Sequence, residues 1–436
     1  MRTPLRPVVA VLLAVGLLAA CGSSGVKTSR PRTPSGTGTT VPGVKLIGTV
    51  RPQAAPDAAT LRAAAQGEAA LGVALYRELA TGNSNVSIAP SSLATVLGMI
   101  EAGARGATAR QMVDALDVPL PAAELATAIG GLAQSFVARS TRGVALDEVD
   151  QAWLQQGRSV LTPYADTLAG PFGAPLATID FDHASAAAST INSWFSDNTH
   201  GKITKLLEAS DLENQVVLVL TDAVYLDAQW AHGFDPKRTA PAPFHTAVGT
   251  VENVPTMHLD GAAIESGPRL GYAAGAGWKA VALPYKGNQL EMDVVVPDDL
   301  HAFEATFDGA RLASVLGAIQ PANVVLSMPK FDVTAQSDLV APLEQLGVHD
   351  VFDPSRADLS GIDGRPDLFV SAVKQKVVVH VDERGTVAAA ATAGVVQASA
   401  APLETVVQID EPFVYVVRDR ATGAVLFLGR VTDPRG

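Results

Sequence analysis

The sequence predicts an α+β fold built as one large domain, on three observations. Helical periodicity, with apolar residues recurring every three or four positions, is concentrated in the first third of the chain. Short apolar runs of strand length fill the last half. The two kinds of element are segregated rather than alternating, which disfavours a doubly wound sheet. With 436 residues, 47% hydrophobic and 17% charged, the chain has enough apolar mass for a large core.

The elements follow in order. Arg2 and Arg6 give a positive n-region and Val8 to Leu18 a short apolar stretch, too short to span a bilayer as a mature helix. The run closes on Leu18-Ala19-Ala20-Cys21, which resembles a bacterial lipobox and implies cleavage before Cys21 and lipidation of its thiol. The alternative is an ordinary signal peptide with a chance Cys beside it. Cys21 is the only cysteine, so no internal disulfide is available. Residues 21–60 are rich in Gly, Ser, Thr and Pro and read as a flexible tether, interrupted by the apolar run Val44 to Val50. The expected division is therefore a signal segment at 1–20, a tether at 21–60 and one domain at 61–436. That places the domain outside the cytoplasm, anchored to the membrane through lipid or released.

Within the domain, helices are expected at Leu61 to Leu79, Ser91 to Ala102, Thr108 to Leu116 and Ser185 to Asn198. Ser91 and Ser92, after Pro90, are candidate caps. Strands are expected at Val216 to Leu226, Ala280 to Leu283, Glu291 to Val296, Val324 to Met328, Lys376 to Val381, Val414 to Val417 and Val425 to Val431.

Composition and motifs exclude several functions. A net charge of -12 argues against nucleic acid and anionic membrane surfaces as partners. There is no Gly-x-Ser-x-Gly elbow, His-Glu-x-x-His, Walker loop or Cys-x-x-Cys. The eight histidines are scattered singly; His183, His200, His232, His245 and His258 sit between or at the edges of apolar runs. No catalytic residue, metal site or cofactor is expected.

The most informative stretch is Asp382-Glu383-Arg384-Gly385-Thr386-Val387-Ala388-Ala389-Ala390-Ala391-Thr392-Ala393-Gly394. It follows a strand-like run, carries no charge from Gly385 to Gln397, and consists almost wholly of small residues. A surface loop normally carries polar turn residues; this one is made to be buried. Extended at ~3.3 Å per residue, Thr386 to Ser399 would span roughly 45 Å. Alternation puts Thr386, Ala388, Ala390, Thr392, Gly394 and Val396 on one face, none of them charged. The competing possibility is an Ala-rich helix, which Thr386, Thr392, Gly394 and Val395-Val396 weaken.

Several segments, in order, resemble the serpins. They are Asn85-Val86-Ser87-Ile88-Ala89-Pro90-Ser91-Ser92, Ile191-Asn192-Ser193-Trp194-Phe195, and Leu218-Val219-Leu220-Thr221-Asp222-Ala223-Val224-Tyr225-Leu226 with Trp230. Next come Leu283-Pro284-Tyr285-Lys286-Gly287-Asn288, Met328-Pro329-Lys330-Phe331, the hinge-like stretch above, and Leu426-Phe427-Leu428-Gly429-Arg430-Val431. The resemblance implies three sheets, about nine helices and a reactive loop at about 383–408 offered to a serine protease. After cleavage the hinge, Glu383 to Ala391, would insert as a new strand of the large sheet while the acylated protease is trapped. The partners implied are serine proteases, bound covalently by a monomer. Aligned on the hinge, the reactive bond falls at Ser399–Ala400, with Ala400–Ala401 second, because the segment to Pro412 is about two residues longer than in common relatives. Small residues there suit elastase-like or subtilisin-like enzymes. The positions of the family's sheet-opening cluster read Ala89, Ser92, Asp222 and Gln375, where many relatives have Ser, Ser, Asn and His. Trp230 matches the Trp at the top of the sheet. The alternatives are a serpin fold that binds without inhibiting, or a solute-binding surface lipoprotein.

Overall fold

The computed structural model of the chain describes residues 43–386 and 404–436, apart from 52, 138, 140–142, 214–215, 262–263 and 265 and the side chains of 137 and 147. Cys21, Val387 to Ala391, Ser399, Ala400 and Ala401 lie outside the described residues.

Three sheets form among the described residues. Sheet A runs in the order β1 (Lys45–Ile47), β4 (Leu176–Ile179), β3 (Val144–Gln155), β5 (Leu218–Gln229), β15 (Gly385–Thr386), β14 (Ala372–Asp382) and β13 (Phe331–Asp338). Sheet B runs β11 (Gln320–Pro321), β8 (Gly271–Gly275), β9 (Trp278–Pro284), β10 (Leu290–Pro297), β17 (Phe413–Asp419), β18 (Val425–Val431) and β2 (Val86–Ile88). Sheet C runs β16 (Thr405–Gln408), β12 (Val324–Pro329), β7 (Val251–Asp260) and β6 (Ala240–His245). The helices are α1 (Ala58–Leu79), α2 (Pro90–Glu101), α3 (Gly106–Leu116), α4 (Ala122–Val137), α5 (Thr162–Ala169), α6 (Ala184–Asn198), α7 (Leu300–Ala305), α8 (Gly309–Ala318), α9 (Val340–Gln345) and α10 (Ser360–Asp363).

The expected helices and strands are present within a few residues of their bounds, but the segregation is only partial: α7 to α10 lie between strands of the second half, and β2 to β4 lie among the early helices. The domain starts earlier than expected, however. Lys45–Ile47 pairs antiparallel with Leu176–Thr178, so this part of 21–60 is an edge strand rather than tether. Asp57 then caps α1, its Oδ1 accepting from the backbone N–H of Thr60 at 2.8 Å. Ser91 and Ser92 do not cap α2. The helix begins at Pro90, with Ala89 at its N-cap and no side-chain cap; Pro90 itself leaves no orphan N–H.

Around β3 and β5 sheet A is buried on both faces, and strand alternation divides its side chains between two cores, while on β13 Asp332, Thr334, Gln336 and Asp338 face solvent. Trp153, Val219 and Ala223 pack with Ile191 and Phe195 of α6. Ala152, Leu154, Leu218 and Leu220 pack the other way, with α2 residues including Leu93, Val96 and Leu97. Positions 148, 150 and 222 share this second face by register, Asp150 lying opposite Asp222 and Glu148 opposite Val224. Three acids thus point into an interior where apolar residues are the rule.

Candidate functional site: the junction of β5 and β14

The site is a seam in sheet A that is closed below and wedged open above. Over Ala372 to Val378, β14 pairs directly and in parallel with Val219 to Tyr225 of β5. Above Val378 the two strands part, and β15 lies between them. After the turn at Glu383 and Arg384 the chain folds back, Gly385 pairing with Asp382 and Thr386 with Val381. On its other side β15 pairs antiparallel with β5, Gly385 opposite Gln229 and Thr386 opposite Ala228. The start of the expected hinge is therefore already a strand of the sheet.

Each residue of the hinge that is described has a defined seat. Thr386 is 1% exposed, and its Oγ1 lies 2.9 Å from the Tyr285 hydroxyl. Tyr285 stacks on Trp230 with centroids 4.6 Å apart and planes 8° from parallel. Trp230 Nε1 donates to the Asp382 carbonyl at 3.0 Å, and its backbone N–H donates to the Arg384 carbonyl at 2.8 Å. Glu383 accepts from Thr239 Oγ1 at 2.8 Å and from Lys330 Nζ at 3.0 Å. Burial works to raise the Glu383 carboxyl, but these donors and a backbone N–H outweigh it and hold it below the ordinary range. Gly385 has φ +152°, and a Cβ there would overlap the Ala228 carbonyl oxygen. Gly385→Val is therefore expected to expel β15 from the sheet. The loss would show as a shifted tryptophan emission, since Trp230 holds this turn; an emission spectrum like the parent's would contradict the expectation.

The lower half is closed by polar groups. Gln375 lies in register with Asp222, and its Nε2 donates to Asp222 Oδ2 at 2.5 Å. The same amide exchanges bonds with the backbone of Ala89, donating to its carbonyl and accepting from its N–H, each at 3.0 Å. Ser92 Oγ lies 2.5 Å from Asp222 Oδ1 and also contacts Asp150 Oδ1. Ala89, Ser92, Asp222 and Gln375 thus meet as the sequence suggested, with the Gln amide donating to the carboxylate. Trp230 belongs to the upper wedge and not to this cluster. Burial pushes the Asp222 carboxyl up to about 7, against hydrogen bonds from Ser92 and Gln375 that lower it.

Sequence reasoning missed Asp150, Glu148 and Glu68, which surround this cluster. The signal was a strand, Val144–Gln155, in which Glu148 and Asp150 alternate with Ala152 on the side facing α2. No grouping of His, Cys, Asp and Glu suited to a metal occurs among the described residues.

Comparison with known proteins places this architecture. The family model "Serpin (serine protease inhibitor)" matches residues 66–434. The chain belongs to the serpin family. The leukocyte elastase inhibitor of Homo sapiens is 30% identical over 372 residues, 83% of this chain and 96% of that protein. Iripin-8 of Ixodes ricinus is 32% identical over 378 residues, 83% of this chain and 91% of that one. The native structure of the thermophilic serpin tengpin matches with a TM-score of 0.78 over 88% of this chain and 97% of that one; at 23% identity the likeness speaks for the fold. Thyroxine-binding globulin in complex with thyroxine matches with a TM-score of 0.74 at 26% identity, over 85% of this chain and 99% of that one. Within this serpin fold, β15 lies between β5 and β14 of sheet A.

Proposed function

We propose that this serpin is a single-use inhibitor of serine endopeptidases. A protease attacks the reactive loop at Ser399–Ala400, or second at Ala400–Ala401. The freed segment then zips down between β5 and β14, and the acyl-enzyme is carried with it and trapped. The observation that carries this reading is the seating of Gly385 and Thr386 as the first rungs of that strand. Each further rung exchanges one β5–β14 ladder for two, and a net backbone bond contributes about 0.5–1.5 kcal/mol. The uncleaved form is then metastable, held from insertion by the tether at the loop's far end. The residues that follow, Val387 to Ala391, are small and uncharged, so their descent buries no ion.

Small residues at the reactive bond suit an elastase-like or subtilisin-like pocket. The name of the human relative, leukocyte elastase inhibitor, points the same way. Lipidation at Cys21 would hold the inhibitor on the outer side of a bacterial membrane as a monomer. The likeness to thyroxine-binding globulin keeps a second reading, binding without inhibition. One experiment separates them. The protein is incubated with elastase-type, subtilisin-type and trypsin-type enzymes. Complexes that survive denaturant are expected with the first two, together with a released peptide beginning at Ala400 and a sharply higher melting temperature of the cleaved form. Cleavage in the loop with no complex and no gain in melting temperature would leave the binding reading standing and sink inhibition.

A further inference from the structure

The closed seam holds more acid than its hydrogen bonds can use. Glu68 of α1 is 1% exposed, and neither of its carboxyl oxygens has a hydrogen-bond partner. The oxygens of Glu148 are likewise buried, and the Asp150 carboxyl beside them can bond them only if it carries a proton. Ser92 has a single hydroxyl proton yet contacts Oδ1 of both Asp150 and Asp222. One of those carboxyls must itself bring a proton to the contact. A proton on Asp150 would also let it donate to Glu148. Glu68, Glu148, Asp150 and Asp222 therefore fit together only if the group carries protons.

Among the described residues no cation relieves them. The charges that act on Glu68, Glu148 and Asp150 come from other members of the group, and burial is the first cause of the upward shift in each. Around them, Arg62, Arg77 and Glu78 of α1 are exposed. Glu101 of α2 interacts with Arg105. From α4, Leu125, Ala128, Ile129 and Leu132 are buried and apolar. On β14, Lys374 bonds Asp211 and Asp338, and Lys376 the Lys205 carbonyl, by register on the face opposite Gln375. The strand β2 carries no titratable group.

We propose that this carboxyl group is a proton lock on sheet A: the closed seam binds protons, and parting β5 from β14 releases them to water. The proposal rests on the insertion reading above. Parting withdraws the Gln375 amide from Asp222 and admits water to the gap. A hydrated Asp returns toward its ordinary pKa of about 3.9, so at neutral pH its O–H ionises and the proton goes to solvent. A step that releases a proton is favoured by rising pH, up to about tenfold per pH unit between the two pKa values. Strand uptake should therefore quicken as pH rises toward and through neutrality. The opposing effect is that an ionised Asp222 accepts stronger bonds from Ser92 and Gln375, which would slow uptake instead.

The test uses the full chain and a synthetic peptide of residues Thr386 to Ser399, blocked at both ends. The peptide has no titratable side chain, so any pH dependence belongs to the protein. Its uptake rate is followed by native gel mobility from pH 5.5 to 8.5. The expected result is a rise on the order of tenfold, flattened in Asp222→Asn and in Asp150→Asn. Glu68→Gln, at a side chain that makes no hydrogen bond, should flatten it with the least disturbance to folding. A flat or falling profile in the parent, or an unchanged slope in all three variants, overturns the lock while leaving insertion intact. No uptake at any pH overturns the insertion reading and the lock with it.

Discussion

Thr386→Arg is expected to convert the protein from inhibitor to substrate. Thr386 is the deepest described residue of the inserted hinge, with 1% of its surface exposed. It is bracketed by Ala228 on one side and Val381 on the other. Its side chain faces the Tyr285 hydroxyl, whose own ring is sealed by Trp230. An Arg there would either place an unpaired guanidinium in this interior, at a cost on the order of 3–5 kcal/mol, or keep the hinge out of the sheet. Either way the first rung is lost. In the proposed mechanism loop insertion competes with hydrolysis of the acyl-enzyme, so slowing it by that much would send most molecules to cleaved product. The stoichiometry of inhibition should rise at least tenfold, with a band of cleaved serpin replacing the covalent complex on denaturing gels. Thr386→Val is the matching control. It keeps the branched shape, forfeits one hydroxyl contact, and should leave inhibition within a few-fold of the parent. Undiminished trapping by Thr386→Arg would mean that this residue is not the leading edge of the inserting strand.

How much of this was legible in the sequence depends on whether a residue's meaning is local. The hinge was legible because its requirement is written along the chain: small, uncharged and alternating after a strand. Asp222 and Gln375 were legible only through family register, since 153 residues separate them. Asp150 and Glu148 were not. In Val144–Gln155 the cluster Asp147, Glu148 and Asp150 reads as a solvated surface, and only pairing with β5 shows that Glu148 and Asp150 lie on the side facing α2. Ser92 follows Pro90 and looks like a cap because capping is what a Ser at a helix start usually does. Its hydroxyl is committed across the seam instead. The edge strand Lys45–Ile47 was hidden by composition: a short apolar run in a Gly/Ser/Thr/Pro segment gives no sign of the partner, Leu176–Thr178, that orders it. In each case the missing information was a distant contact.

The same distinction governs the largest stability effect expected outside the seam. Arg430 was visible only as part of the C-terminal strand motif, yet it is fully buried and pairs with Glu304 of α7. Its Nη1 reaches both Glu304 oxygens, at 3.0 and 2.9 Å. Its other nitrogens donate to the carbonyls of Ser84 at 3.0 Å and Gly82 at 2.8 Å. Glu304 also accepts from the Tyr76 hydroxyl at 2.5 Å, and burial, then the Glu304 charge, drive that phenol well above its ordinary range. Arg430 thus ties β18, α7, α1 and the turn before β2 into one polar knot inside sheet B's core. Arg430→Met would strand the Glu304 carboxylate and two carbonyls in that interior. The expected loss is about 3–5 kcal/mol in urea denaturation, the usual cost of removing one partner of a buried pair. Arg430→Met with Glu304→Leu should recover part of it, because no charge is then left unpaired. None of the knot's hydrogen bonds is made to a residue of β5, β14 or β15, so strand uptake breaks none of them, although α1 also carries Glu68 and β2 leads into Ala89, which bonds Gln375. Arg430→Met should therefore lower the denaturation midpoint while the stoichiometry of inhibition, measured where the variant is still folded, stays at the parent value. A loss below about 1 kcal/mol would show the pair to be a surface-like one. A changed stoichiometry would show that the two halves of the molecule are coupled during insertion.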